Sequence, residues 1–143
     1  MLMEVTVTTL HYDKVSEARD NFKLLLDAAE SGRPAVVRRD DQTTAFVDAD
    51  RLRYFLAKIS SQATVVNDEG SWWVFVNGLP ISADGATLDE ALDEMIIALR
   101  EYAEDWQDRL SVAPNHAENW GIVQLVSLST DDQLRQWLGG AGA

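Results

Sequence analysis

The stretch SEARDNFKLLLDAAESGRPAVVRRDDQTTAFV, Ser16 to Val47, changes its periodicity partway along. Up to Ala29, apolar side chains return every three or four residues (Ala18, Phe22, Leu25, Leu26, Ala29), which is the spacing of one helix face. Ser16 is placed to cap that helix, with Glu17 just inside it. Ser31-Gly32-Arg33-Pro34 ends it, because glycine accepts a left-handed C-terminal cap and proline cannot continue a helix. AVVRR and TTAFVD then read as short β-branched strands joined by the polar DDQ, which predicts a hairpin.

Asp48 is positioned to cap a second helix, ADRLRYFLAKI, with Leu52, Phe55, Leu56 and Ile59 on one face. Upstream, MEVTVTTL alternates and is β-branched, predicting a first strand. The order β-α-β-β-α therefore closes near Ile59, and SSQ, residues 60–62, reads as a linker. Beyond it ATVVNDEGSWWVFVNG predicts a second hairpin turning at NDEG, and LPISADG offers a third short strand. TLDEALDEMIIALREYAEDWQDRL predicts a long helix with a Thr87/Glu90 capping box and an apolar stripe from Leu88 to Leu110. AENWGIVQLVSLS fits either a helix or a buried extended segment, and TDDQLRQWL a short last helix with a Thr130/Gln133 box. The fold class expected is α+β, in two domains, residues 1–60 and 61–143.

Composition narrows the chemistry. The chain has 143 residues, no cysteine and a net charge of -12, which excludes disulfides, thiolate metal sites and cysteine nucleophiles. No apolar run is long enough for a membrane span and no secretion signal opens the chain, so a cytoplasmic protein without membrane attachment is expected. The charge is uneven: residues 1–60 hold nine Lys and Arg against ten acids, whereas residues 61–143 hold three Arg against fourteen. The acidic half should repel nucleic acid and suit a basic partner. His11 and His116 are isolated, and no phosphate-binding glycine loop or nucleophile–base pair is visible. Neither an enzyme, a metal nor a cofactor is expected.

Residues 4–58 resemble the N-terminal domain of the Phd/YefM (prevent-host-death) antitoxins. The resemblance rests on a short strand, SEAR opening a helix, the LLD run, ESGRP, a strand ending in Arg-Arg, a hairpin and an aromatic-bearing helix. It departs at the tip, where RRDDQTT lacks the family's glycine and proline. The resemblance implies a homodimer or higher homo-oligomer that binds a palindromic operator, with Arg19 and Arg39 facing DNA and Arg38 beside them. Lys23, on the same helix face as Arg19, and Lys14, just ahead of the helix, complete the candidate DNA-binding set. From charge alone, Arg38 and Arg39 read as partners of Asp40 and Asp41 in solvent, worth well under about 1 kcal/mol.

The second half is similar to the HicB-like antitoxin fold, a small sheet followed by a T-L-x-E-A segment and a long helix, here ATLDEALDEM after a hairpin. That similarity implies a toxin-neutralising domain. Trp72, Trp73, Glu101 and Asp105 are its candidate toxin contacts, with one tryptophan of the pair buried and the other exposed by strand alternation. Together these readings predict an antitoxin of a type II toxin–antitoxin system. It would bind operator DNA as a dimer and mask a basic toxin, for which a ribonuclease is a candidate. The alternative is an acidic adaptor or inhibitor that never touches DNA.

Overall fold

The computed structural model describes residues 9–59 and 61–140. Most of the first predicted strand, through residue 8, lies outside them; the described strand β1 is Leu10–Tyr12. It pairs in parallel with β2 (Ala35–Arg39), which pairs antiparallel with β3 (Gln42–Phe46), giving a three-stranded sheet in the order β1-β2-β3. Arg39 pairs with Gln42, so the hairpin tip is the two residues Asp40-Asp41 rather than DDQ. Asp40 takes the left-handed conformation (φ 53°) that a two-residue hairpin tip demands, and Asp is among the few side chains that tolerate it.

The predicted first helix is divided. α1 (Val15–Asp20) ends at Asn21, whose side chain donates to the Glu17 carbonyl at 2.9 Å and competes with the helical ladder. α2 (Phe22–Glu30) restarts from there. Lys14, not Ser16, holds the N-cap position, and Ser16 lies inside the first turn without a capping bond. The restart leaves Leu25, Ala28 and Ala29 buried, but exposes Phe22 and Leu26. At the C-terminus of α2, the Gly32 amide bonds the Ala29 carbonyl and the Arg33 amide bonds that of Ala28. This is the paired Schellman closure, with Gly32 at φ 89°. The Asp48 carboxylate accepts the Arg51 amide at 2.9 Å and opens α3 (Ala49–Leu56), as expected.

The second sheet is β4 (Ala63–Asp68), β5 (Ser71–Val76) and β6 (Ser82–Gly85), antiparallel throughout and in that order. Its first turn is Glu69-Gly70, both at positive φ. α4 (Leu88–Asp108) packs on β5 and β6, with α5 (Trp120–Leu128) and α6 (Asp131–Gly140) against it. The Thr87 hydroxyl accepts the Glu90 amide, while the Glu90 carboxylate returns to the Ala86 amide rather than to that of Thr87. The Thr130/Gln133 box closes in both directions. The segment compatible with helix or strand is helix α5.

The chain divides between Leu52 and Arg53 into two compact units. In the first, Ala18, Leu25, Ala35 and Val37 form a small core flanked by Leu10 and Tyr12. In the second, Val74, Val76 and Ala83 of the sheet meet Ala91, Met95, Ile96, Leu99, Tyr102 and Ala103 of α4, together with Val123, Val126, Leu134 and Leu138. Gly85 sits where β6 passes the first turn of α4, and a Cβ there would lie 2.6 Å from the Ala91 nitrogen. Backbone cannot step aside as a side chain can. Gly85→Ala is expected to cost about 1–3 kcal/mol, as an overpacked core does, read as a lower urea midpoint with unchanged slope.

Candidate functional site

In the first unit the candidate cations are exposed. Arg39 follows Ala35 and Val37 on the sheet face covered by α1 and α2, since strand residues alternate. Arg38 follows Val36 onto the other face, and its Nε donates to the Asp40 carbonyl at 3.1 Å. Alternation thus splits the RR pair: Arg39 belongs to the side that carries Arg19, and Arg38 does not. Arg39 has no side-chain partner among the described residues.

Arg19, at the last turn of α1, lies 3.6 Å from the Asp20 carboxylate, with both side chains at least 70% exposed. Such a contact is worth about 0–1 kcal/mol and yields readily to a stronger anion. Lys23 holds Asp27 at 3.0 Å across one helical turn. That hydrogen bond and the attraction of the same carboxylate keep its ammonium above the ordinary lysine pKa. Lys14 is exposed ahead of α1. Arg51, which sequence reasoning left aside, is committed internally: it donates to the Glu30 carbonyl at 2.7 Å and lies over Gly32, closing the end of α2.

The same unit leaves large apolar side chains uncovered. Phe22, Leu24 and Leu26 of α2 are 50%, 55% and 39% exposed, and Phe46 and Val47 at the end of β3 are 38% and 47% exposed. β3 is an edge strand with every residue exposed, and α2 lies against it. Edge strands of this kind invite pairing with another chain.

Among residues 61–143, Arg100 and Arg135 are bound to other groups of the same half. Arg100 donates to the Val126 and Ser129 carbonyls at the end of α5 and pairs with Asp131 at 2.7 Å. Arg135 of α6 pairs with Asp89 and Asp93 of α4, and Arg109 lies 3.8 Å from Asp105. The remaining carboxylates face solvent. Between β6 and α4 runs an open groove of ≈ 470 Å³ lined by Asp84, Glu90, Glu94, Ile97 and Glu101. Glu101 has no ion-pair partner among the described residues, whereas Asp105 is shared with Arg109.

The two adjacent tryptophans part company. Trp72 packs against the core with Val74, and Trp73 turns to the opposite face, where its ring stacks on Phe75 at 6.3 Å. Trp137 covers a core edge and donates to the Ile59 carbonyl at 2.8 Å, while Trp120 is 51% exposed. His116 accepts or shares a proton with the Tyr102 hydroxyl at 2.8 Å, next to Asn119, and His11 lies 3.7 Å from Asp13. Among the described residues no three His, Cys, Asp or Glu gather as a metal site, and no helix is long and apolar enough to cross a membrane.

A family model described as PHD-like, antitoxin of toxin–antitoxin, RelE/RelB, TA system, matches residues 9–137. No curated protein matches the sequence. Among solved structures, the chain is similar to a crystal structure from Syntrophomonas wolfei subsp. wolfei, described as an antitoxin part of a proposed toxin/antitoxin system. The TM-score is 0.77 at 21% identity, covering 92% of this chain and 96% of that one.

Proposed function

The chain belongs to the PHD-like family of antitoxins of RelE/RelB toxin–antitoxin systems, and on that premise we propose that it binds its toxin directly and represses its own operon as an operator-bound homodimer. Residues 1–60 act as the Phd/YefM-like dimerisation and DNA-binding part. Residues 61–143 act as the HicB-like part that neutralises a basic toxin, for which an RNA-cleaving enzyme is the candidate. The protein itself performs no catalysis.

One observation supports this division above the others: Arg19 and Arg39 of the first part have weak partners or none, whereas Arg100 and Arg135 of the second are held by its own groups. Arg19 and Arg39 stand exposed on one side of the first unit, with weak partners or none. A guanidinium there can grip a phosphate or the O6/N7 edge of guanine through its planar fork. Arg100 and Arg135 are bound into the second unit's own carbonyls and carboxylates, so its surplus acid faces outward, ready for a basic surface. A single copy offers too few cations for a specific DNA footprint. A dimer doubles them, and the uncovered Phe22, Leu26, Phe46 and Val47 supply an apolar face for one.

The test is a mobility shift of the DNA upstream of the gene, with stoichiometry from sedimentation. Two chains, or an even number, per site are expected, with binding weakening steeply as salt rises. Absence of any shift at low salt would remove the repressor reading and favour the acidic adaptor, towards which the Arg38–Asp40 contact at the tip leans.

A further inference from the structure

Strand alternation sets Val66, Trp73, Phe75 and Asp84 on the face of the β4-β5-β6 sheet turned away from α4. Val66, Trp73 and Asp84 form one row across the three strands. The Trp73 and Phe75 rings lie stacked with 15° between their planes. Phe75 and Val66 stay 38% and 42% exposed, so among the described residues this strip is left partly open. The charge around it has one sign. Asp84 faces Trp73 from β6, and Asp68 lies on the same face two residues beyond Val66. Neither carboxylate has a side-chain partner among the described residues. From Lys58 to Arg100 the sequence contains no other Lys, Arg or His. Asp84 also lines the groove that continues to Glu94 and Glu101.

Flat aromatic faces beside an unpaired carboxylate suit one side chain above others. A guanidinium is planar and weakly hydrated, so it stacks on an indole while its N–H fork engages a carboxylate; an ammonium is compact and holds its water. We propose that this open sheet face docks the toxin and receives an arginine from it, the guanidinium lying over Trp73 and Phe75 and pairing with Asp84. The proposal rests on the antitoxin reading above and gives that reading a surface: the sheet, with the acidic groove as its flank, rather than Trp72. The exposed aromatic strip becomes the water-excluded centre of the contact, and the carboxylates its charged margin.

Calorimetric titration of the full chain with the product of the neighbouring reading frame tests it. Trp73→Ala should weaken binding ~30-fold or more, as loss of an interface hot spot does. Asp84→Asn, nearly isosteric and exposed, should weaken it ~10-fold and flatten its salt dependence. Trp120→Ala, which removes an exposed indole elsewhere, should leave binding unchanged. Blocking the toxin's arginines with phenylglyoxal should erase the difference between wild type and Trp73→Ala; persistence of that difference would overturn the arginine assignment. Wild-type affinity in both Trp73→Ala and Asp84→Asn would overturn the docking face while leaving the antitoxin reading intact. No binding by wild type would overturn both. Loss of self-association in Trp73→Ala would give the face to a second copy instead and overturn the proposal.

Discussion

Leu99→Ala is expected to destabilise the second unit by about 3–5 kcal/mol, the upper range for a leucine removed from a closed core. Leu99 is fully buried at the centre of α4, among residues from the sheet, α5 and α6. The cavity would be walled by three different elements, which cannot all close on it without leaving their own contacts. All five tryptophans (Trp72, Trp73, Trp106, Trp120 and Trp137) follow residue 53, so urea unfolding monitored by tryptophan fluorescence reports on that unit alone. The midpoint should fall with little change in slope. A loss below about 1 kcal/mol would mean that the core around α4 closes over the gap, contrary to the packing described.

Much of the fold was legible because its signals are local. The Thr87 and Thr130 caps, the Gly32 closure and the Asp48 cap each depend on residues within a few positions, and all formed. The division of the first helix was not legible, since the three- and four-residue apolar spacing runs on through Asn21, where the helix breaks. With the helix divided at Asn21, Phe22 and Leu26, read as part of one apolar face, stand exposed. α5 was ambiguous because its side chains are apolar on most sides. Its C-terminal end is held by Arg100, more than two dozen residues away in sequence, a contact that no local pattern announces.

The candidate site was legible in kind more than in arrangement. Charge segregation was visible in the sequence, yet which arginines remain free required the pairing of Arg51 with Glu30 and of Arg135 with Asp89 and Asp93. Adjacent Arg38 and Arg39 read as one cluster until alternation set them on opposite faces. The same rule resolved Trp72 from Trp73, a choice that sequence alone left open because the strand's phase was unknown.

Operator binding by the Arg19→Ala/Arg39→Ala double variant tests the central claim most directly. A dimer of this variant lacks four guanidinium groups. Each base-reading arginine is worth about 1–3 kcal/mol, so affinity should fall at least ~100-fold. If the four contacts are to phosphates, the slope of log affinity against log salt should flatten by about 3–4. Both arginines are exposed and lie outside the small core, so folding should be unchanged by circular dichroism. Wild-type affinity and salt slope in a folded double variant would contradict the account.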